Sequence, residues 1–125
     1  MGRLPGTAAL RLENIALSDS LPGHLKNWYG GVLTLVLCDG VNDEFLDMLG
    51  SVSTFSGAPN LTKLTIVDCP NFTWEALKKM VEARGKAKKG AIEDLIVRGR
   101  GPTIDADEAS WLKGQLKSLE WDTWV

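Results

Sequence analysis

The residues of this chain that could do chemistry are few and scattered. There is one histidine, His24, between Gly23 and Leu25, and two widely spaced cysteines, Cys38 and Cys69. Proton relay by histidine needs a second polar group to hold the ring, and a metal centre needs several nitrogen or sulfur ligands at close spacing. Neither H-E-x-x-H nor C-x-x-C occurs, so no metal site is expected and the thiols read as buried and reduced. Gly85-Lys-Ala-Lys-Lys-Gly90 has the glycine spacing of a phosphate loop, but Ala91-Ile92 stands where Lys-Ser/Thr is required. A strand, not a helix, is expected next, so phosphate binding is rejected. Lys78, Lys79, Arg84, Lys86, Lys88 and Lys89 cluster without an interleaved aromatic residue to stack on bases. They suit the negative end of a helix dipole. The sequons Asn60-Leu-Thr and Asn71-Phe-Thr read as coincidences. Neither catalysis nor a cofactor is expected.

Composition narrows the class further. The chain has 125 residues, 44% hydrophobic and 24% charged, which argues for one folded domain over 1–125 and against disorder. A formal net charge of -2 selects neither nucleic acid nor a membrane surface as partner. The first residues lack the apolar run of a secretory signal, and Val32–Cys38 is far too short to span a bilayer. A cytoplasmic or nuclear setting is therefore expected.

The strongest signal is a repeat. The pattern apolar-x-x-apolar-x-apolar occurs at Val32, Leu35, Leu37, at Leu61, Leu64, Ile66, at Ile92, Leu95, Val97 and at Leu116, Leu119, Trp121. A weaker first copy is Thr7, Leu10, Leu12, so repeats start near 7, 32, 61, 92 and 116. Residues two apart share one face of a strand, and one such strand cannot bury itself. Periods of this length with this pattern predict a leucine-rich-repeat solenoid. The expected fold is α/β, with about five short parallel strands and helices or loops on the convex side. In the third copy Cys69 takes the ninth position, where a small side chain turns inward as the chain leaves the strand. Phe72 supplies the next core contact, Thr73 caps a helix carrying Trp74, Leu77, Met80 and Val81, and Gly85 ends it. Phe45, Leu46, Met48 and Leu49 form another apolar helix face, and Asp105 with Glu108 makes a capping box ahead of Trp111 and Leu112. Ser20 caps a turn bearing Leu21, Leu25 and Trp28. Gly50–Asn60 and Arg98–Pro102 read as loops. Trp121 takes a core strand position and Trp124 is expected to close the open end of the core; the rival expectation for the tryptophans is an aromatic patch that binds a partner.

The run LTKLTIVDCPNFTWEALKKMVEARGK, then IEDLIVRGRGP, an acidic helix start and the ending LKSLEWDTWV resemble the C-terminal repeats of fungal F-box/leucine-rich-repeat proteins over residues 30 to 125. The resemblance implies repeats that hold the substrate of a cullin-type ubiquitin ligase. The F-box, which docks on the ligase adaptor in that family, is not recognisable in this chain.

In a curved solenoid the outward strand residues line the concave face and form the recognition surface. The repeat register assigns to it Arg11 and Glu13, then Thr34, Val36 and Cys38, then Lys63, Thr65 and Val67, then Asp94, Ile96 and Arg98, and finally Glu120 and Asp122. Val36, Thr65, Val67 and Ile96 are expected to be neighbours inside a charged rim, as at a protein interface. The expected partner is another protein. The rival expectation is a structural cap or fragment of a longer solenoid, self-associating through its N-terminal end, where Thr7 and Ala8 shield the core poorly.

Overall fold

The computed structural model describes residues 9–15, 28, 30–50, 60–86 and 91–124. Five strands lie in one sheet: β1 (Ala9–Glu13), β2 (Val32–Val36), β3 (Lys63–Val67), β4 (Asp94–Arg100) and β5 (Ser118–Trp124). Every pairing is parallel, and the spatial order is β1-β2-β3-β4-β5, the order of the chain. Parallel neighbours require a return path between them. Helices α1 (Asp43–Gly50), α2 (Trp74–Lys86) and α3 (Ala106–Gln115) follow β2, β3 and β4. The fold is thus α/β, with strands and helices alternating.

The strand alternation sorts two sets of side chains. Leu10, Leu33, Leu64, Leu95 and Leu119 stand in register across the sheet, as do Leu12, Leu35, Ile66, Val97 and Trp121. In β2, β3 and β4 these inward residues are wholly buried, together with Phe45, Leu46 and Leu49 of α1 and Leu77, Met80 and Val81 of α2. Each fully buried leucine or isoleucine contributes about 2 kcal/mol of apolar transfer free energy, which fixes the register, because a one-residue slip would turn the whole row to solvent.

The strand starts are tied by a recurring bond. The Gly31 carbonyl accepts from the N–H groups of Thr62 and Lys63, at 2.8 and 2.9 Å. The Thr62 carbonyl does the same for Glu93 and Asp94, and Glu93 for Lys117 and Ser118. Just past β1, β2 and β3 the backbone turns left-handed, at Asn14 (φ 56), Leu37 (φ 54) and Asp68 (φ 53), and the equivalent place in β4 is Gly99 (φ 80), within the strand. There the N–H groups of Asn14, Leu37 and Asp68 reach the carbonyls of Val36, Val67 and Arg98 in the following strand.

This geometry corrects the sequence expectation in five places. The second copy begins at Gly30, not Val32, because Leu33 and Leu35 pair with Leu64 and Ile66. Leu37, expected inside, is half exposed in the left-handed turn. Cys38 therefore occupies the slot of Cys69 and is buried, so it leaves the outward set. Arg98–Arg100 is not a loop: β4 runs through it, paired to Trp124. Gly99 makes this possible, since its φ of +80 would strain any other residue and a Cβ there would meet the Asp68 carboxylate at 2.1 Å. Helix α2 continues through Gly85 to Lys86.

The helix starts follow the expected chemistry. Asn42 Oδ1 accepts from the Phe45 N–H at 2.8 Å, Thr73 Oγ1 from the Ala76 N–H at 3.3 Å, and Asp105 with Glu108 completes a reciprocal capping box. Thr73 also donates its own N–H and hydroxyl to Asp43, tying the start of α2 to that of α1. The proposed turn at Ser20, Leu21 and Leu25, the residues His24 and Thr7, and most of Gly50–Asn60 lie outside the described residues. Trp28 is half-buried against the core.

Candidate functional site

The outward side chains of the sheet form three rows. Ala9, Val32, Lys63, Asp94 and Ser118 make the first. Arg11, Thr34, Thr65, Ile96 and Glu120 make the second, and Glu13, Val36, Val67, Arg98 and Asp122 the third. Of the expected surface residues, all but Cys38 stand in these rows. Thr65 pairs with Ile96 and Val36 with Val67, so the four central residues are neighbours. All four keep partial solvent exposure.

Charge lies at the two sides. In β1, Arg11 Nε donates to Glu13 Oε1 at 2.7 Å. Between β4 and β5, Arg98 donates to Glu120 in a close ion pair. That hydrogen bond raises the pKa of Arg98 and lowers that of Glu120. Ser118 donates to Asp94 at 2.6 Å. Paired charges beside threonine and β-branched residues leave a central strip that can lose water at little electrostatic cost. Trp124, expected to close the core, is instead 57% exposed on this outward side, opposite Arg100.

Tryptophans do fill the C-terminal layer from inside. The Trp74 ring meets Trp111 and Trp121 edge-on, with centroids 6.1 and 6.2 Å away. Lys78 Nζ sits 5.4 Å from the centre of the Trp111 ring. Trp121 Nε1 donates to the Pro102 carbonyl at 3.0 Å.

The two cysteines serve the backbone. The Cys38 thiol is shared between the carbonyls of Val36 and Leu12, at 3.2 and 3.5 Å, and that of Cys69 between Val67 and Leu35, at 3.3 and 3.7 Å. Cys69 Sγ also accepts the Cys38 N–H at 3.4 Å. Burial pushes the Cys69 thiol up from 9.0 to about 11, against the downward pull of that N–H. A thiol held protonated in this way is a poor nucleophile. On the opposite side of the core, buried Arg84 donates Nε–H to the Leu49 carbonyl at 2.8 Å, and burial lowers its pKa to about 10. Arg84 therefore stays charged near neutral pH and ties the end of α1 to α2. Arg84, expected among the cations of a solvated helix end, is instead fully buried, because its side chain packs against the end of α1.

Among the described residues no three histidine, cysteine, aspartate or glutamate side chains are grouped to hold a metal. No described helix is long and apolar enough to cross a membrane. Compared with known proteins, the chain matches no family model, no curated protein and no solved structure.

Proposed function

We propose that the chain is a leucine-rich-repeat solenoid that binds another protein through the outward face of its sheet, as a substrate-recognition module of the F-box-like ubiquitin-ligase type. The observation that carries this reading is the apolar strip Val36, Val67, Thr65 and Ile96, flanked by the Arg11–Glu13 and Arg98–Glu120 pairs. Supporting it, the in-register leucine rows and the inward cysteines match what leucine-rich repeats require physically. Its role is binding, not catalysis. The test is capture of partner proteins by the purified chain and by Val67→Asp and Ile96→Asp, with circular dichroism alongside. Folded variants that lose the wild-type partners support the face; folded variants that keep them place binding elsewhere.

A second reading has its own observation. Leu119 and Trp121 continue the inward rows but remain partly exposed. The chain would then be a structural piece that completes its core by stacking on a neighbour.

A further inference from the structure

The sheet has two edges, and their backbone groups face outward in complementary sets. In a parallel strand the N–H and C=O of one residue point to the same side. Ser118 donates its N–H toward β4, to Glu93, and Trp124 accepts there from Gly101. Ser118, Glu120, Asp122 and Trp124 therefore face β4, and Leu119, Trp121 and Thr123 face the open side. At the other edge, Asn14 donates to Val36 and Leu12 accepts from the Cys38 thiol, so Leu10 and Leu12 face β2. Ala9, Arg11 and Glu13 then face the open side of β1. No described strand pairs with either edge.

These sets match those at the four existing strand pairs. Lys63, Asp94 and Ser118, in the row of Ala9, each donate an N–H to the carbonyl preceding the neighbouring strand. Beside β5 the same bond would run from Ala9 to the Lys117 carbonyl. The inward rows would continue as Leu119 beside Leu10 and Trp121 beside Leu12. Leu119 and Trp121 border an open cleft of about 670 Å³ between β5 and the start of α3. On the outward side Arg11 would lie beside Glu120. Asp122 would face Glu13, a like charge offset by Arg11 and Arg98.

We propose that this chain associates with a second copy of itself head to tail, the β5 edge of one copy adding β1 of the next as a sixth parallel strand. Such a heterologous contact leaves one free edge at each end and does not close at a dimer. It uses the edges, not the outward strip, so it stands or falls apart from partner capture.

The test is sedimentation of the full chain over a wide concentration series, with circular dichroism as a folding control. The expected mass grows with concentration past the dimer. Ala9→Pro removes one open-edge N–H at the first residue of a strand, where proline is tolerated, and is expected to abolish growth while the fold is kept. Glu120→Arg alone and Arg11→Glu alone are each expected to weaken association about tenfold or more, the effect of losing one close charge pair. Mixing the two variants is expected to restore it. A concentration-independent monomer, a mass that saturates at the dimer, or growth unchanged by all three variants overturns the proposal.

Discussion

The middle of this sheet and its C-terminal side solve the same packing problem with different residues. In β2 and β3 the inward rows are leucine and isoleucine, wholly buried, and each strand end is closed by a cysteine turned into the core. In β4 the place of the cysteine is taken by Arg100, whose N–H is accepted by Asp68 Oδ1 at 2.9 Å. Gly99 lets the strand run on, and β4 and β5 each reach seven residues. Behind them the core is filled by Trp74, Trp111 and Trp121. A buried thiol ends a strand by satisfying carbonyls within the core, whereas a carboxylate and a glycine let it continue into solvent. One repeat pattern thus accepts two terminations, provided every backbone group finds a partner.

The difference can be attacked at four points. Leu64→Ala, in the sealed middle, is expected to cost about 3 to 5 kcal/mol. Leu119→Ala, in the same row at the open side, is expected to cost less than half of that; equal losses in urea titration would mean that the two layers are sealed alike. Gly99→Ala is expected to cost about 3 kcal/mol, from left-handed strain and displacement of the Asp68 cap, and a neutral result by the same titration would show that β4 does not need its glycine.

The third point is pH. Because the Cys69 thiol is raised from 9.0 to about 11 on folding, the unfolded chain loses that proton first as pH rises. Its contribution is complete below pH 9 and falls as pH climbs through 11, by about 2 to 3 kcal/mol. Urea midpoints across that window should drop more steeply for the wild type than for Cys69→Ala. The smallest effect concerns Leu37, an exposed leucine at φ 54. Asn14 already fills the equivalent turn beside β1, and Leu37→Asn is expected to raise stability by about 0.5 to 1 kcal/mol, read as a higher melting temperature.

Much of the strand framework was legible because inward leucines recur at strand spacing. Pattern and structure part in the second copy, where Gly30 hides the start and the apolar Val32 and Leu37 imitate it. Pattern alone cannot tell a core leucine from one held in a left-handed turn. The same ambiguity places Cys38 among the outward residues by pattern, whereas its partner Cys69 falls on the inward ninth position. The central strip is the same in either register, since a shift of two residues keeps each side chain on its own face.

The amino-acid order by itself determined which strands form, which face of each turns inward, and where α3 is capped, because these depend on alternation and on bonds between near neighbours. Only the tertiary structure decided that β5 runs on to Trp124, that Arg84 is buried against the end of α1, and that Gly99 carries β4 past its expected end. Each of those outcomes depends on an atom brought close from a distant part of the chain: the Arg100 backbone beside Trp124, the Leu49 carbonyl against Arg84, and the Asp68 carboxylate over Gly99.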